Sequence, residues 1–410
     1  MGGEAQCRAW DEFLKLHRAG KVKAAWALEK GLGEGLMKMS FGNRIGFKAE
    51  RDLACELYSP ALYGFIVAEL TEDPETDYAG VVRLGVTTAE PTLELSRESA
   101  SIDELLALNE AVLEDVYPTR TAEKDAAEAQ SFTTAARPAP ALHLAKPKAL
   151  IPVFPGTNCE FDTQRALLEA GAEAEIIVIR NLTAEAVAAS AEKFADALKT
   201  AQMVVIPGGF SGGDEPDGSA KFITAFFRNP RVKELVTELL EKRDGLMSGI
   251  CNGFQALIKL GLVPYGKIID TDETCPTLTY NRIGRHQSSL VRTRIASDKS
   301  PWLALTKVGD IYTVPISHGE GRFFASDTLL AQLAANGQIA TQYVDLAGNP
   351  SMDTAFNPNG SAWAVEGITS PDGRVFGKMG HSERVGPDLY RNVAGNYDIR
   401  MFEAAVKYFR

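Results

Sequence analysis

Cys251 is the residue on which chemistry is most readily built. It ends an apolar run (246–250), is bracketed by Gly249 and Gly253, and precedes a helix-like run (254–260). The pattern predicts a buried strand delivering a thiol onto a tight turn, with a helix directly behind it. Glycines flank a side chain in this way where the turn leaves no room for neighbouring Cβ atoms. A helix N-terminus favours thiolate over thiol and offers backbone N–H groups to an oxyanion. The alternative is a small buried cysteine at a packed strand–helix junction. A nucleophilic thiol needs a base, and the base needs a carboxylate to fix its tautomer. The C-terminal third offers His286, His318 and His381. His381 is followed two residues on by Glu383, and in an extended segment both side chains leave the same side. Taken alone, that pair also reads as a surface histidine beside a solvated glutamate.

The glycine-rich turn at 208–213 follows another apolar run, 203–206. It has neither the Gly-Lys-Ser/Thr ending of a phosphate cradle nor the spacing of a dinucleotide fingerprint. Beside a nucleophile it can aim a backbone N–H at a tetrahedral oxyanion, partnered by the amide of Asn252. Alone it is a βα turn. His318 lies in PISHGEGR (315–322), which reads as a binding loop after an apolar strand. A metal site from Cys251, His318 and His381 has no CxxC or HxxxH spacing behind it, and no metal is expected. Cys159 and Cys275 read as structural, although Cys159 lies on a loop facing the same edge.

From residue 148 the chain alternates strands and helices. Apolar runs at 149–154, 176–179, 203–206 and 246–250 are separated by helical stretches that include 184–198, 222–227 and 232–240. That alternation predicts an α/β domain with a parallel sheet covered by helices on both faces. Ligands sit beyond the carboxyl ends of such strands, here 155–158, 208–213 and Cys251. His381 comes just after a predicted hairpin, 364–368 and 374–377, around the turn SPDG (370–373).

Residues 1–118 read as an α+β segment without a catalytic constellation, and His17 and Cys55 read as structural. Helical patterns run through Trp10, Phe13, Leu14 and His17 and over 24–39; runs 63–70 and 81–88 read as strands. Ser101 with Glu104 forms a capping-box pattern opening a helix that Pro118 closes. So few strands cannot bury both faces of a sheet, so this segment is expected to pack against more protein. Residues 119–147, poor in bulky apolar residues and carrying Pro138, Pro140 and Pro147, read as an exposed linker to a domain over 148–410.

Composition sets the outer limits. A chain of 410 residues accommodates two or three domains, and 45% apolar with 24% charged residues is ordinary for a globular protein. A net charge of −11 argues against a general nucleic-acid or anionic-membrane surface, which needs a basic stripe. It leaves room for a small phosphate-bearing molecule. Five scattered cysteines fit reduced thiols better than a disulfide framework. With no membrane-length apolar run and no charged-then-apolar leader, the reading is a soluble, cytoplasmic protein.

Six stretches, VFPGTNC (153–159), PGGFS (207–211), GICNGFQ (249–255), PISHGEG (315–321), NPNGS (357–361) and HSER (381–384), together resemble the class I (triad) glutamine amidotransferases, a flavodoxin-like fold. More narrowly they resemble glutaminase domains of the phosphoribosylformylglycinamidine synthase family of purine biosynthesis. Ser382 departs from the pattern, where many relatives carry proline, while the His-x-Glu spacing is kept. KMSFGNRIG (38–46) resembles the end of a synthetase domain of the aminoimidazole-ribonucleotide-synthetase-like C-terminal type. The resemblance implies Cys251 as nucleophile, His381 as acid–base and Glu383 as its orienting carboxylate. It further implies an oxyanion hole from Gly209 and Asn252, and glutamine held by Gln255, Ser317 and His318. No cofactor is implied for the glutaminase domain. ATP and Mg2+ are implied for a complete enzyme whose synthetase domains belong to a longer polypeptide or a separate subunit. The competing readings are an amidotransferase subunit of another ligase, a cysteine-elbow hydrolase or chaperone-like protein of the same sheet type, and a non-catalytic scaffold. The hydrolase or chaperone type needs no His-x-Glu near the C-terminus.

Overall fold

The structure, a computed structural model, describes residues 3–74, 80–95, 98–121, 126–210, 219–390 and 393–410. It divides into two compact units, Met1–Thr119 with Tyr390–Val393, and Arg120–Leu389 with Ala394–Arg410.

The first unit contains helices α1 (Gly3–Arg18), α2 (Leu32–Phe41) and α3 (Ile102–Ala111). Its strands are β1 (Val22–Ala27), β2 (Gly46–Ala49), β3 (Ile66–Leu70), β4 (Gly85–Thr88), β5 (Thr92–Leu95) and β6 (Glu98–Ser101). β1 and β3 pair antiparallel, and the others form a sheet in the order β4-β2-β5-β6. Leu32, Leu36, Phe47, Val67 and Ile102 share its core. The Ser101 hydroxyl accepts from the Glu104 amide and caps α3. The helical reading of 24–39 fails over its first part. Residues 22–27 are β1, whose alanines and lysine carry no strand signal of their own, and pairing with β3 decides the conformation. Gly31, at φ 123°, makes the break between β1 and α2.

The second unit is built on a nine-stranded sheet. β7 (Lys148–Val153), β8 (Glu173–Val178), β9 (Met203–Ile206) and β10 (Leu246–Ile250) alternate with α4 (Glu160–Glu169), α5 (Ala184–Leu198), α6 (Lys221–Phe227) and α7 (Pro230–Glu241). After α8 (Asn252–Leu260) and α9 (Leu262–Tyr265) come β11 (Thr277–Tyr280), β12 (Gln287–Ile295), β13 (Ile311–His318) and β14 (Glu320–Phe324). The chain ends with α10 (Asp327–Ala335), β15 (Ile339–Val344), β16 (Val365–Thr369), β17 (Val375–Lys378) and α11 (Met401–Tyr408). The sheet order is β13-β12-β15-β16-β17-β10-β9-β7-β8, with β11 and β14 paired separately. From β17 to β8 the strands are parallel, the expected α/β arrangement. Every residue of β9 and β10 is buried, as befits strands covered on both faces. α8 packs on β10, β9 and β17, while α4 packs on β7 and β8.

The remaining four strands are antiparallel and extend the sheet beyond what the alternation predicts. They curl: β13 is five places from β10 in the order, yet its Pro315 carbonyl accepts from the amide of His381 at 2.9 Å. PISHGEG is therefore strand for most of its length rather than loop.

Residues 126–147 are not a free connector. Phe132 bridges to Ser297, Arg137 pairs with Asp298 at 3.1 Å, and the Leu144 amide donates to the Phe409 carbonyl. The scarcity of bulky side chains weakened the sequence signal, but backbone groups and the Phe132 ring dock the segment onto the second unit. Residues 122–125 of that stretch, and 211–213 of the glycine-rich turn, lie outside the described residues.

Candidate active site

Four neighbouring parallel strands, β7, β9, β10 and β17, deliver their C-terminal ends to one edge. β10 ends in Cys251, which adopts φ 53°, ψ −107° before α8 begins. A side chain at positive φ is strained by an amount of order 1–3 kcal/mol and persists only where its surroundings over-determine it. Here the Cys251 amide donates to the Lys378 carbonyl of β17 (2.8 Å), and its carbonyl accepts from Gln255 in the first turn of α8. Gly249 and Gly253 have a different reason from the one their spacing suggests, because neither lies among the positive-φ residues. A Cβ on Gly253 would sit 2.0 Å from the Ile206 carbonyl oxygen, and one on Gly249 would sit 2.4 Å from the Gly253 oxygen. They let α8 approach β9 and β10; the strained turn residue is the cysteine itself.

The segment after β17 carries the candidate base. His381 and Glu383 are buried, and His381 Nδ1 lies 2.6 Å from Glu383 Oε1. Nε2 has no hydrogen-bond partner among the described residues and is left for a reacting group. Burial pushes the Glu383 carboxyl up, but the charge and hydrogen bond of His381, its own amide and Arg384 together hold it below its ordinary value. Arg165 of α4 fixes the segment from outside, donating to the carbonyls of Glu383 (3.1 Å) and Val385 (3.0 Å).

β9 ends at Gly208 and Gly209. A Cβ on Gly208 would lie 2.7 Å from His381 Cε1, 3.1 Å from Cys159 Sγ and 3.4 Å from Cys251 Cβ. Thiol and imidazole therefore converge on this glycine. Gly209, at φ 149°, bridges to Thr157, clamped by Asn158 N–H to the Gly208 carbonyl and Phe210 N–H to the Gly156 carbonyl. No backbone carbonyl among the described residues takes the Gly209 N–H. Asn252, at the start of α8, is buried. The two amides expected to hold an oxyanion thus come from the ends of adjacent strands.

The three residues expected to hold glutamine separate. The Ser317 carbonyl lies 4.0 Å from Cys251 Sγ, and the Ser317 hydroxyl meets His286 Nε2 at 3.0 Å. His318 is buried with both ring nitrogens lacking a hydrogen-bond partner among the described residues, and burial first, then His381 and His286, lowers its pKa to about 3. It is a neutral imidazole. At Gln255, Nε2 donates to the Glu320 carbonyl (2.6 Å) and Oε1 accepts from Asn252 Nδ2 (2.8 Å). Both ends are engaged within the protein, tying the elbow to β14. NPNGS is similarly internal: Asn359 Nδ2 donates to the Gly321 carbonyl, and the Ser361 hydroxyl accepts from the Phe323 amide.

Cys159, read as structural on a loop facing this edge, is buried beside the pair. Its sulfur is 3.8 Å from His381 Nδ1 and accepts from Arg384 Nη2 at 2.9 Å; the signal was its place at the end of β7. Cys159, His381 and Glu383 offer donor atoms within 4.8 Å of one another, but the Arg384 guanidinium on the sulfur opposes a cation. Burial, with Glu383 adding to it and Arg384 opposing, pushes the Cys159 thiol up to about 12. At pH 8 about one molecule in ~10⁴ then carries the thiolate. Native iodoacetamide labelling at pH 8 with peptide mapping is expected to modify exposed Cys7 and Cys55 and leave Cys159 unmodified; rapid carboxamidomethylation of Cys159 would refute this placement.

A thiol on a strand–helix elbow, a His–Glu pair after the next parallel strand and a glycine turn against both have the layout that a triad-type amidotransferase would use. Residues 146–409 match the CobB/CobQ-like glutamine amidotransferase domain, and the chain belongs to that family. The phosphoribosylformylglycinamidine synthase subunit PurQ of Methanococcus maripaludis is 35% identical over 239 residues, covering 58% of this chain and 82% of that protein. The same subunit of Pyrococcus furiosus is 31% identical over 263 residues, covering 64% and 99%. Among solved structures, PurLQS from Thermotoga maritima aligns over 65% of this chain and 100% of that one, at 24% identity and a TM-score of 0.47. The second unit is thus a PurQ-like class I glutamine amidotransferase domain.

Proposed function

We propose that this chain is the glutaminase portion of a phosphoribosylformylglycinamidine synthase. The observation that carries the reading is the meeting of Cys251, the His381–Glu383 pair and Gly208 at one sheet edge. The Cys251 thiolate attacks the side-chain amide carbon of glutamine. The amides of Gly209 and Asn252 stabilise the resulting oxyanion, and a single such donor lowers the barrier by about 3–4 kcal/mol. The tetrahedral adduct collapses as His381 protonates the departing ammonia, leaving a glutamyl thioester. His381 then takes a proton from water, whose oxygen attacks the thioester, and glutamate leaves as the thiol is restored. Glu383 keeps the imidazole oriented throughout. Ser317 and His318 form the wall against which glutamine lies, and Gln255 supports that wall through Glu320.

The ammonia serves the ATP-dependent conversion of formylglycinamide ribonucleotide to formylglycinamidine ribonucleotide, with ATP and Mg2+ bound by synthetase domains. Residues 1–118 are a partial synthetase domain of the aminoimidazole-ribonucleotide-synthetase-like type, and 148–410 the amidotransferase domain. The glutaminase domain needs no cofactor. Among the described residues no helix is long and apolar enough to cross a membrane, and purine synthesis places the enzyme in the cytoplasm. The test is a glutamine-mimicking chloroketone followed by peptide mapping. A stoichiometric adduct at Cys251, blocked by glutamine, is expected; an adduct at Cys159 or Cys275 in its place would overturn the assignment.

A further inference from the structure

We infer that a buried ion pair, Lys378 with Glu366, acts together with the Ser382 hydroxyl to position the catalytic thiol and imidazole relative to each other. This rests on the reading of Cys251, His381 and Glu383 given above. Lys378 Nζ lies 3.2 Å from Glu366 Oε1, with side chains 1% and 0% exposed. The ammonium also donates to the Gly380 carbonyl (2.9 Å) and the Ser382 hydroxyl (3.0 Å). Glu366 Oε1 accepts from the Gly380 amide (2.6 Å), and Oε2 accepts from the Thr341 hydroxyl.

Two features make this more than a satisfied core pair. The atoms it grips belong to Gly380 and Ser382, the residues on either side of His381, so the imidazole is carried on a segment held at both ends. The main chain of Lys378 meanwhile holds the nucleophile: its carbonyl accepts from the Cys251 amide at 2.8 Å, and Ile250 is its register partner across β10 and β17. One residue therefore fixes the thiol through its backbone and the base through its side chain. Buried ion pairs are often no more stabilising than well-packed apolar residues of similar volume, so geometry is the property this pair supplies. Ser382 stands where the motif elsewhere has proline. Proline restrains its own φ, whereas here the restraint comes from a hydroxyl bound to a buried ammonium. None of the three touches the reacting atoms. They are positioning residues.

The test uses the full chain and reads glutaminase kcat and KM, the rate of Cys251 alkylation by the chloroketone, and the thermal midpoint. Ser382→Ala is expected to lower kcat roughly 10-fold, because misplaced reacting groups lose rate steeply, with KM and midpoint near wild type. Lys378→Met combined with Glu366→Leu removes both charges and keeps an apolar filling. It is expected to hold the midpoint while kcat falls roughly 10- to 100-fold. Wild-type kcat in folded Ser382→Ala, or kcat and midpoint falling in parallel across the variants, overturns the proposal. Cys251→Ala run alongside separates the two levels: persisting glutaminase activity there discards the site reading itself, whereas loss there with no effect at Ser382 discards only the brace.

Discussion

Cys251→Ala is expected to abolish glutamate release from glutamine, by at least ~10⁴-fold in kcat, while a complete synthase assembly keeps its ammonia-dependent reaction. Loss of the sulfur removes the atom that forms the thioester, and the oxyanion amides cannot supply a nucleophile in its place. The neighbouring Cys159 does not take over. Its thiol is held protonated by burial, to about 12, and Arg384 already occupies its sulfur. Folding should survive, because alanine retains the Cβ and removes one buried sulfur, a change of about 1 kcal/mol by analogy with a methyl-sized deletion. The informative comparison sets glutamate release against ammonia-dependent synthesis, with the thermal midpoint as control. Hydrolysis at the wild-type rate would rule out Cys251 as nucleophile, and loss of both reactions with an intact midpoint would point to a role in coupling.

The centre of the parallel core was legible because β9 and β10 are continuous apolar runs bounded by turn residues. Residues 246–250 and 203–206 coincide with β10 and β9, and 184–198 with α5. The meeting of Cys251 with the His381–Glu383 pair was legible for the same reason: fold rules send the ends of such strands to one edge, and a His-x-Glu spacing puts two side chains on one side of an extended segment. Other features were hidden by physics that single-sequence patterns do not carry. The antiparallel strands that bring Ser317 beside Cys251 depend on sheet curl, a property of nine strands together. The packing of Cys159 against Gly208 was hidden because that residue has no side chain to read. The bonds of Gln255 to Asn252 and Glu320 were hidden too, because only coordinates reveal which partner a buried amide has taken. The segment at 126–147 carried a linker's composition, yet its backbone bonds and Phe132 attach it to the second unit.

Gly253→Ala should be among the most damaging single-methyl changes in the chain. In an ordinary helix, alanine for glycine stabilises by about 1 kcal/mol. Here the added Cβ would lie 2.0 Å from the Ile206 carbonyl oxygen, 2.8 Å from its carbonyl carbon and 3.1 Å from its Cβ. The first two are main-chain atoms of β9, a central strand that cannot swing aside as a side-chain tip can. Relief requires α8 to move off the sheet by roughly 1 Å, at about 1–3 kcal/mol for overpacking of this kind. The same movement carries the Asn252 amide and Cys251 with it, since both sit at the start of α8, and a displacement of that size costs on the order of 100-fold in rate. The expected result is a lowered urea midpoint together with a ~100-fold fall in kcat. Gly42→Ala serves as the control: its φ is −68° and a Cβ there meets nothing within 4 Å, so stability should hold or rise. Should Gly253→Ala prove as stable as wild type, the close seating of α8 on β9 would be wrong, and with it the reason that glycine follows two residues behind the thiol.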